Sequence, residues 1–289
     1  MQTTRSHKIA LEPTAEQEEL FRRAAGVARF VWNWALAEWK RQYRAGKKPS
    51  AAKLKKLFNA IKGDLFPWVY DSPRDANAQP FANLGKAFRR FFDGQARHPK
   101  FKKKGKSRDS FYIANDKFSV DGKTITLPRI GKVKMREALR FNGKVICATV
   151  SRTADRWFVS ISVETDMPAV PCENQARTVG VDLGVKRLAT LSDGTCVEGP
   201  RPLRFALKRL RRLNRRLHRR VKGSANRDKA RRRVARCHAR VAAIRSDSLH
   251  KLTTWLVGTY GRVVIEDLKR QGHGPQPQAL SGHPRHGLW

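Results

Sequence analysis

The sequence predicts an α+β multidomain chain. A small antiparallel β-barrel carries an inserted helical block, and an α/β domain with a long basic helical hairpin follows. Three observations carry this. Short alternating runs, one at residues 7–11 and a series between residues 110 and 164, flank a stretch of helical periodicity. Two late apolar runs, residues 178–181 and 262–265, each end in a carboxylate. Between those runs lie two amphipathic stripes whose charged neighbours are nearly all basic. The expected boundaries are 1–13 with 97–170 for the barrel, 14–96 for the helical block, 175–270 for the α/β domain and 271–289 for a tail.

Residues 7–11 alternate as a short strand does, and Pro13 stops them. Thr14-Ala15-Glu16-Gln17 is a capping-box pattern, with Thr14 as N-cap and Gln17 three residues on. The helix it starts carries Leu20, Ala24, Val27, Val31, Ala35 and Trp39 at helical spacing, and Phe30, Trp32 and Trp34 widen the face. These aromatics serve either core packing, the simpler role, or base stacking. Arg29 and Asn33 lie one turn apart and face either nucleic acid or a neighbouring helix. Helical patches at residues 50–61 and 80–92 follow, the second with Phe81, Leu84, Phe88 and Phe91 in register. Phe66-Pro67-Trp68 and Asp71-Ser72-Pro73 punctuate the connection.

Residues 97–108 hold seven basic residues and no acid. Taken alone, such a run is a solvated linker that repels itself. In a chain of this net charge it reads as a phosphate-gripping arm, with Lys100, Lys102, Lys103, Lys104 and Lys106 as its contacts. Strand-like runs then recur at 110–114, 117–120, 124–127, 132–135, 145–152 and 157–163, with Asp121-Gly122 and Asn142-Gly143 as turn pairs. The near-even spacing predicts the barrel, which residues 7–11 complete. Residues 167–171 read as a linker, and the second domain begins near Gln175.

Leu203, Leu207, Leu210, Leu213, Leu217 and Val221 form one helical stripe, Gly223-Ser224-Ala225-Asn226 breaks it, and Val234, Cys237, Val241, Ile244, Leu252 and Trp255 form another. From Arg201 to Arg245 there are 19 Lys and Arg and one acid, Asp228. Ordinary charged helix faces mix signs; these helices repel themselves unless phosphates neutralise them. Arg211, Arg212, Arg215, Arg216, Arg219, Arg220, Arg231, Arg232 and Arg233 are the expected nucleic-acid contacts.

The whole chain has 62 Lys and Arg against 24 Asp and Glu, a formal charge of +38 over 289 residues. That excess exceeds what solubility needs and implies a polyanionic partner, nucleic acid before an anionic membrane surface. No run approaches the roughly 20 apolar residues of a spanning helix, and the N-terminus lacks the apolar segment of a secretory signal. Cys147, Cys172, Cys196 and Cys237 are scattered without a C-x-x-C pair, so neither a zinc ribbon nor a disulfide framework is expected. The expected location is the cytoplasm, associated with the nucleoid.

Thr178-Val179-Gly180-Val181-Asp182-Leu183-Gly184 is an apolar run that delivers one Asp to a glycine turn, and Arg262-Val263-Val264-Ile265-Glu266-Asp267-Leu268 has the same design. An Asp before such a turn often only caps local backbone. Two strands that each end in an acid instead bring Asp182 and Glu266 together around a divalent cation. Asp267 follows Glu266 directly and is expected to point the opposite way on a strand.

Arg29-Phe30-Val31-Trp32-Asn33-Trp34-Ala35-Leu36, the basic arm, Val181-Asp182-Leu183-Gly184 and Val264-Ile265-Glu266-Asp267-Leu268 together resemble the TnpB/OrfB-type insertion-sequence transposase family, related to type V CRISPR effectors. The resemblance runs over about residues 5–270. It implies a wedge-like barrel, a helical recognition block and a ribonuclease-H-like (RuvC) domain. It also implies an RNA-guided DNA endonuclease whose transposon-derived guide RNA and target double-stranded DNA are its partners, with base pairing reading the target. Asp182 and Glu266 would then be catalytic residues and ligands in a site for two Mg²⁺ ions.

The family pattern continues with a zinc ribbon and a third catalytic Asp. Here the Zn ligands are missing, no Asp or Glu follows Asp267, and residues 273–289 lack helical or strand periodicity, as an out-of-frame reading would. The expectation is a chain interrupted before the ribbon, with cleavage impaired. The alternatives are a binding-only RNA-guided protein, an inactive remnant, or a basic RNA-binding structural module.

Overall fold

Why the early helix is so long follows from its ends. In the computed structural model, which describes residues 2–166, 176–184 and 186–266, β1 (Gln2–Glu12) leads into α1 (Ala15–Arg44), a 30-residue helix. The Thr14 side chain accepts from the Gln17 backbone N–H at 3.3 Å, and the Gln17 side chain accepts from the Thr14 N–H at 3.1 Å. Two otherwise orphaned donors are thereby satisfied. The expected linker at 167–171, Cys172, Asp267 and the tail lie outside the described residues.

The chain divides into two compact units, Met1–Ala169 with Ala206–Val241 and Val170–Phe205 with Ala242–Trp289. In the first, α2 (Ala51–Leu65) starts at the Ser50 cap, a 3-10 turn spans Pro67–Asp71, and α3 (Arg74–Phe92) follows. The sequence aromatics are core. Trp34 lies 4.9 Å from Phe58, Phe30 lies 4.9 Å from Phe66, and Trp39 stacks on Phe88 at 4.0 Å. Each such side chain is worth roughly 1.5–3 kcal/mol on full burial. The second reading of these rings, base stacking, therefore does not apply to Trp34, Trp39 and Phe30, which pack against the protein itself. Phe21 of α1 meets Trp157 at 5.1 Å, so helices and sheet share one core.

The sheet of this unit comprises β1, β2 (Ser110–Ala114), β3 (Ser119–Asp121), β4 (Thr124–Leu127), β5 (Gly131–Met135), β6 (Lys144–Thr153) and β7 (Arg156–Asp166). Its order is β2-β6-β7-β1-β5-β4-β3, and every neighbouring pair is antiparallel. The expected barrel is corrected here: the sheet is open. β2 and β3 are its two edges. The outward N–H of Ala114 on β2 is taken by the Asp75 carboxylate of α3 at 2.8 Å, so a helix covers the edge that closure would have needed. Two smaller corrections share a cause in packing. The strand expected at 117–120 starts later, as β3 at Ser119, because Lys117 closes a 3-10 turn over Asn115–Lys117. α3 begins at Arg74, not Pro80, because Ala76, Asn77, Pro80, Phe81, Leu84 and Phe88 are one buried stripe that offsets the hydrogen bond Pro80 cannot make.

In the second unit, β8 (Thr178–Asp182), β9 (Ala189–Leu191) and β10 (Cys196–Val197) form an antiparallel meander, and β11 (Arg262–Ile265) pairs parallel to β8. α4 (Pro202–His218) and α5 (Ala225–Thr259) connect β10 to β11. Leu252, Leu256 and Tyr260 pack on Val179, Val181, Ala189 and Leu191. Asp193 accepts from the Tyr260 hydroxyl at 2.6 Å and from Arg177 at 3.0 Å, which pins the start of β8 to the end of α5. Among the described residues no helix is long and apolar enough to cross a membrane.

Candidate functional site

Three features of the sequence are placed by the fold, each within its own unit: the basic arm and the arginine hairpin in the first, and the acidic strand ends in the second. The arm is not a free linker where α1 meets it. Asn33 Nδ2 donates to the Lys102 carbonyl at 2.9 Å, and its Oδ1 accepts from the Lys102 N–H at 2.7 Å. Trp32 Nε1 donates to the Lys100 carbonyl at 3.0 Å. Lys102 Nζ sits 4.3 Å over the Trp32 ring, where burial and the neighbouring Arg29 hold its pKa below the usual lysine value. Arg29 is paired with Asp109 at 2.8 Å. Arg29 and Asn33, which the sequence left facing either nucleic acid or a neighbouring helix, here shape the arm, and the Lys102 side chain lies over Trp32. The signal was in the sequence: an isolated acid, Asp109, directly after a run of cations.

What the clamp leaves outside is cationic. Lys100, Lys103, Lys104 and Lys106 are exposed. Lys103 and Ser107 close a turn, with the Lys103 N–H donating to Ser107 Oγ at 3.0 Å and the Ser107 N–H to the Lys103 carbonyl at 2.9 Å. Gly105 takes a φ of +78° in that turn, and a Cβ there would lie 3.6 Å from an Arg231 guanidinium nitrogen. The arm and α5, separate in sequence, therefore adjoin.

The hairpin is locked by its own backbone. The Arg227 guanidinium donates to the carbonyls of Leu217 at 3.1 Å and Arg220 at 2.8 Å, satisfying groups that the end of α4 leaves without partners. Arg211, Arg215 and Arg219 recur at i, i+4 along α4 and, with Asn214 and His218, line a shallow groove. Arg211, Arg212, Arg215, Arg216, Arg219, Arg220, Arg232 and Arg233 are exposed, while Arg231 pairs with Asp228 at 3.1 Å. Arg236 binds Asp155, holding that carboxyl below the usual range. Asp155 reaches it from the two-residue β6–β7 turn, in which Ala154 adopts a φ of 57°.

In the second unit, Ile265 pairs with Val181 in a parallel ladder, so Asp182 and Glu266 end neighbouring strands, side by side. Adjacent strands lie roughly 4.8 Å apart. Both side chains are exposed. Among the described residues no group of three or more His, Cys, Asp or Glu converges as a metal site. Two carboxylates at one sheet end nevertheless fit a hard, oxygen-preferring cation that keeps part of its water shell.

Comparison with known proteins adds the following. The OrfB IS605 family model, described as "Probable transposase", matches residues 158–273. A related model, described as "Helix-turn-helix domain", matches residues 1–48. In this structure that second span is β1 and the single helix α1, with α2 starting only at Ala51. The chain is 37% identical over 271 residues to the Escherichia coli protein named "Putative RNA-guided DNA endonuclease InsQ", covering 93% of this chain and 67% of that protein. It is 35% identical over 276 residues to a Streptomyces pristinaespiralis protein named "Putative RNA-guided DNA endonuclease", with 92% and 67% covered. A Mycobacterium tuberculosis protein whose name carries the same words is 31% identical over 307 residues, with 92% and 66% covered.

Proposed function

We propose, because the chain belongs to the OrfB-type family of insertion-sequence transposases, that it binds a guide RNA and the DNA selected by that RNA, and that Asp182 and Glu266 are the acidic pair of a nuclease site. The observation that carries the reading is the parallel register of β8 and β11, which ends two strands in acids side by side. We read the four-stranded sheet, a meander with a fourth strand parallel to its first, as the ribonuclease-H-like part of the chain. The cationic arm and hairpin are read as the phosphate-holding surfaces, which contact backbone while base pairing supplies sequence.

Asp182 and Glu266 would hold Mg²⁺, and the bound ion would supply an activated water and charge stabilisation at the scissile phosphate. The chain's own part is to fix the two carboxylates on rigid strand ends and to bring a strand to them. A two-ion site needs more anionic ligands than this pair supplies. For that reason the 289-residue chain is expected to bind better than it cuts. A second reading, guided binding without cleavage, is favoured by the same observation.

The test uses the purified chain, an RNA from the transposon end carrying a chosen guide, and matched or mismatched duplexes with Mg²⁺. Guide-dependent retention of the matched duplex with little cutting, equal in Asp182→Ala, is the expected result. Retention indifferent to the guide would overturn the RNA-guided reading. Strong Mg²⁺-dependent cutting that disappears in Asp182→Ala would overturn the expectation of impairment and leave the acidic pair standing.

A further inference from the structure

A cavity of about 240 Å³ lies within the second unit, lined by Gly184, Lys186 and Arg187 just after β8, by Arg201 at the start of α4, and by Arg245 and Ser248 on α5. Its floor is the turn that begins two residues after Asp182. The acidic pair does not account for it, and of the cations counted from Arg201 to Arg245 it takes only the two at the ends.

Four cationic side chains face one small space, and like charges so gathered repel. Two of them are held in place by hydrogen bonds to neutral groups. Arg201 Nη2 donates to the Lys186 carbonyl at 3.0 Å, and Arg187 Nη1 donates to Cys196 Sγ at 2.9 Å. The nearby acid is Glu198, which ion-pairs with both, at 3.8 Å from Arg187 Nε and 3.9 Å from Arg201 Nη2, so a single negative charge is shared between two of the four cations. Lys186 and Arg245 have no ion-pair partner among the described residues. The wall opposite is fixed by the Leu188 N–H donating to the Val197 carbonyl at 2.8 Å, and a Cβ at Gly199 would press on Leu188 Cβ at 3.3 Å. The cluster is built into the turn and helix start.

The size narrows the ligand. Small-molecule pockets run from roughly 300 to 1,000 Å³, so this cavity suits a phosphate group with its water better than a whole cofactor. The fork geometry of arginine suits phosphate oxygens in particular. We propose that the cavity binds a backbone phosphodiester of single-stranded DNA, holding the strand on its way to Asp182. The inference rests on the reading of Asp182 as part of a nuclease site and names the group that presents the strand to it.

The test is arginine footprinting of the full chain. Phenylglyoxal modification followed by mass spectrometry compares the free chain with the chain bound to a single-stranded DNA oligonucleotide, and separately to RNA of the same sequence. Protection of Arg187, Arg201 and Arg245 by the DNA, alongside Arg215 and Arg219 of the hairpin, is expected. If the hairpin arginines are protected and the cavity arginines are not, this inference fails while nucleic-acid binding stands. If neither set is protected, both fall. Protection of the cavity by RNA alone overturns its assignment to DNA. A second measurement follows the salt dependence of binding to that DNA. Arg245 is exposed, and Arg245→Gln should reduce the slope of log affinity against log salt by about 0.7, the loss of one single-strand phosphate contact. Arg245→Lys should restore most of it, and an unchanged slope in Arg245→Gln would count against the site.

Discussion

Asn33→Ala isolates the clamp between α1 and the basic arm. The side chain makes one bond as donor and one as acceptor, both to Lys102 backbone, at 2.9 and 2.7 Å. A net hydrogen bond contributes about 0.5–1.5 kcal/mol, and leaving a partly buried backbone group unpaired costs more. Taking about 1 kcal/mol for each gives a local loss of about 2 kcal/mol, or roughly 30-fold in an opening equilibrium. The flanking fasteners, Trp32 to Lys100 and Arg29 to Asp109, remain, so the loss should stay in the arm. Hydrogen exchange of the Lys102 amide is the assay, because a chain with two units need not unfold in one step. That amide should exchange roughly 30-fold faster, with α1 core amides unchanged, and oligonucleotide affinity should fall about 3- to 10-fold as the arm must be ordered on binding. Lys102 exchange within about threefold of the parent would refute the clamp, as would destabilisation spread evenly through the first unit.

Three further outcomes follow from local chemistry. Gly143→Ala places a Cβ 2.2 Å from the Glu164 carbonyl oxygen at a φ of +144°, so about 1–3 kcal/mol and a drop of several degrees in Tm are expected; Gly122→Ala, at φ +50° with open space around it, should cost less in the same melt. His7 is buried, its Nδ1 accepting from the Arg140 N–H at 3.3 Å while Nε2 has no hydrogen-bond partner and lies 3.6 Å from Glu137. Burial chiefly, then Arg140, lowers its pKa, so the unfolded chain binds the proton first and stability should decline as pH falls from about 7 to 5, an effect absent in His7→Gln. The Asp193 carboxyl is held down to about 2 by the Tyr260 hydroxyl and the Thr195 backbone, so the second unit should keep this contribution above the ordinary carboxylate range and lose it as pH falls from about 4 towards 2, a loss that Asp193→Asn abolishes when melts are followed against pH.

What was legible in the sequence was local. The Thr14/Gln17 box and most of the alternating strands are decided by near neighbours and appear where expected. The pairing of Asp182 with Glu266 at one sheet end was legible for a different reason. Both runs carry the acid directly after the last apolar residue, so a parallel in-register pairing aligns the two. That the first sheet stays open was not legible, since Asp75 reaches the β2 edge at Ala114 across 39 positions. Nor were the roles of Arg29, Asn33 and Lys102. Only the fold shows that Asp109 pairs with Arg29, that the arm's backbone pairs with Asn33 and that Lys102 lies over Trp32.

The placement of the acids explains how a chain of +38 keeps its cationic surfaces free. In the first unit the acids near the basic elements sit where they fasten one element to another: Asp109 to Arg29 between arm and helix, and Asp155 to Arg236 between the β6–β7 turn and α5. Asp228 pairs within the first turn of α5, where its charge also suits the helix N-terminus. None of these pairs covers the Arg211, Arg215 and Arg219 ridge or the Lys103–Lys106 turn. An acid added to that ridge would gain little as an exposed ion pair, about 0–1 kcal/mol. It would also cancel a phosphate contact whose salt-dependent contribution extends over the whole bound strand. The few acids therefore serve position, and under the proposed function the exposed cations are left for phosphates to neutralise.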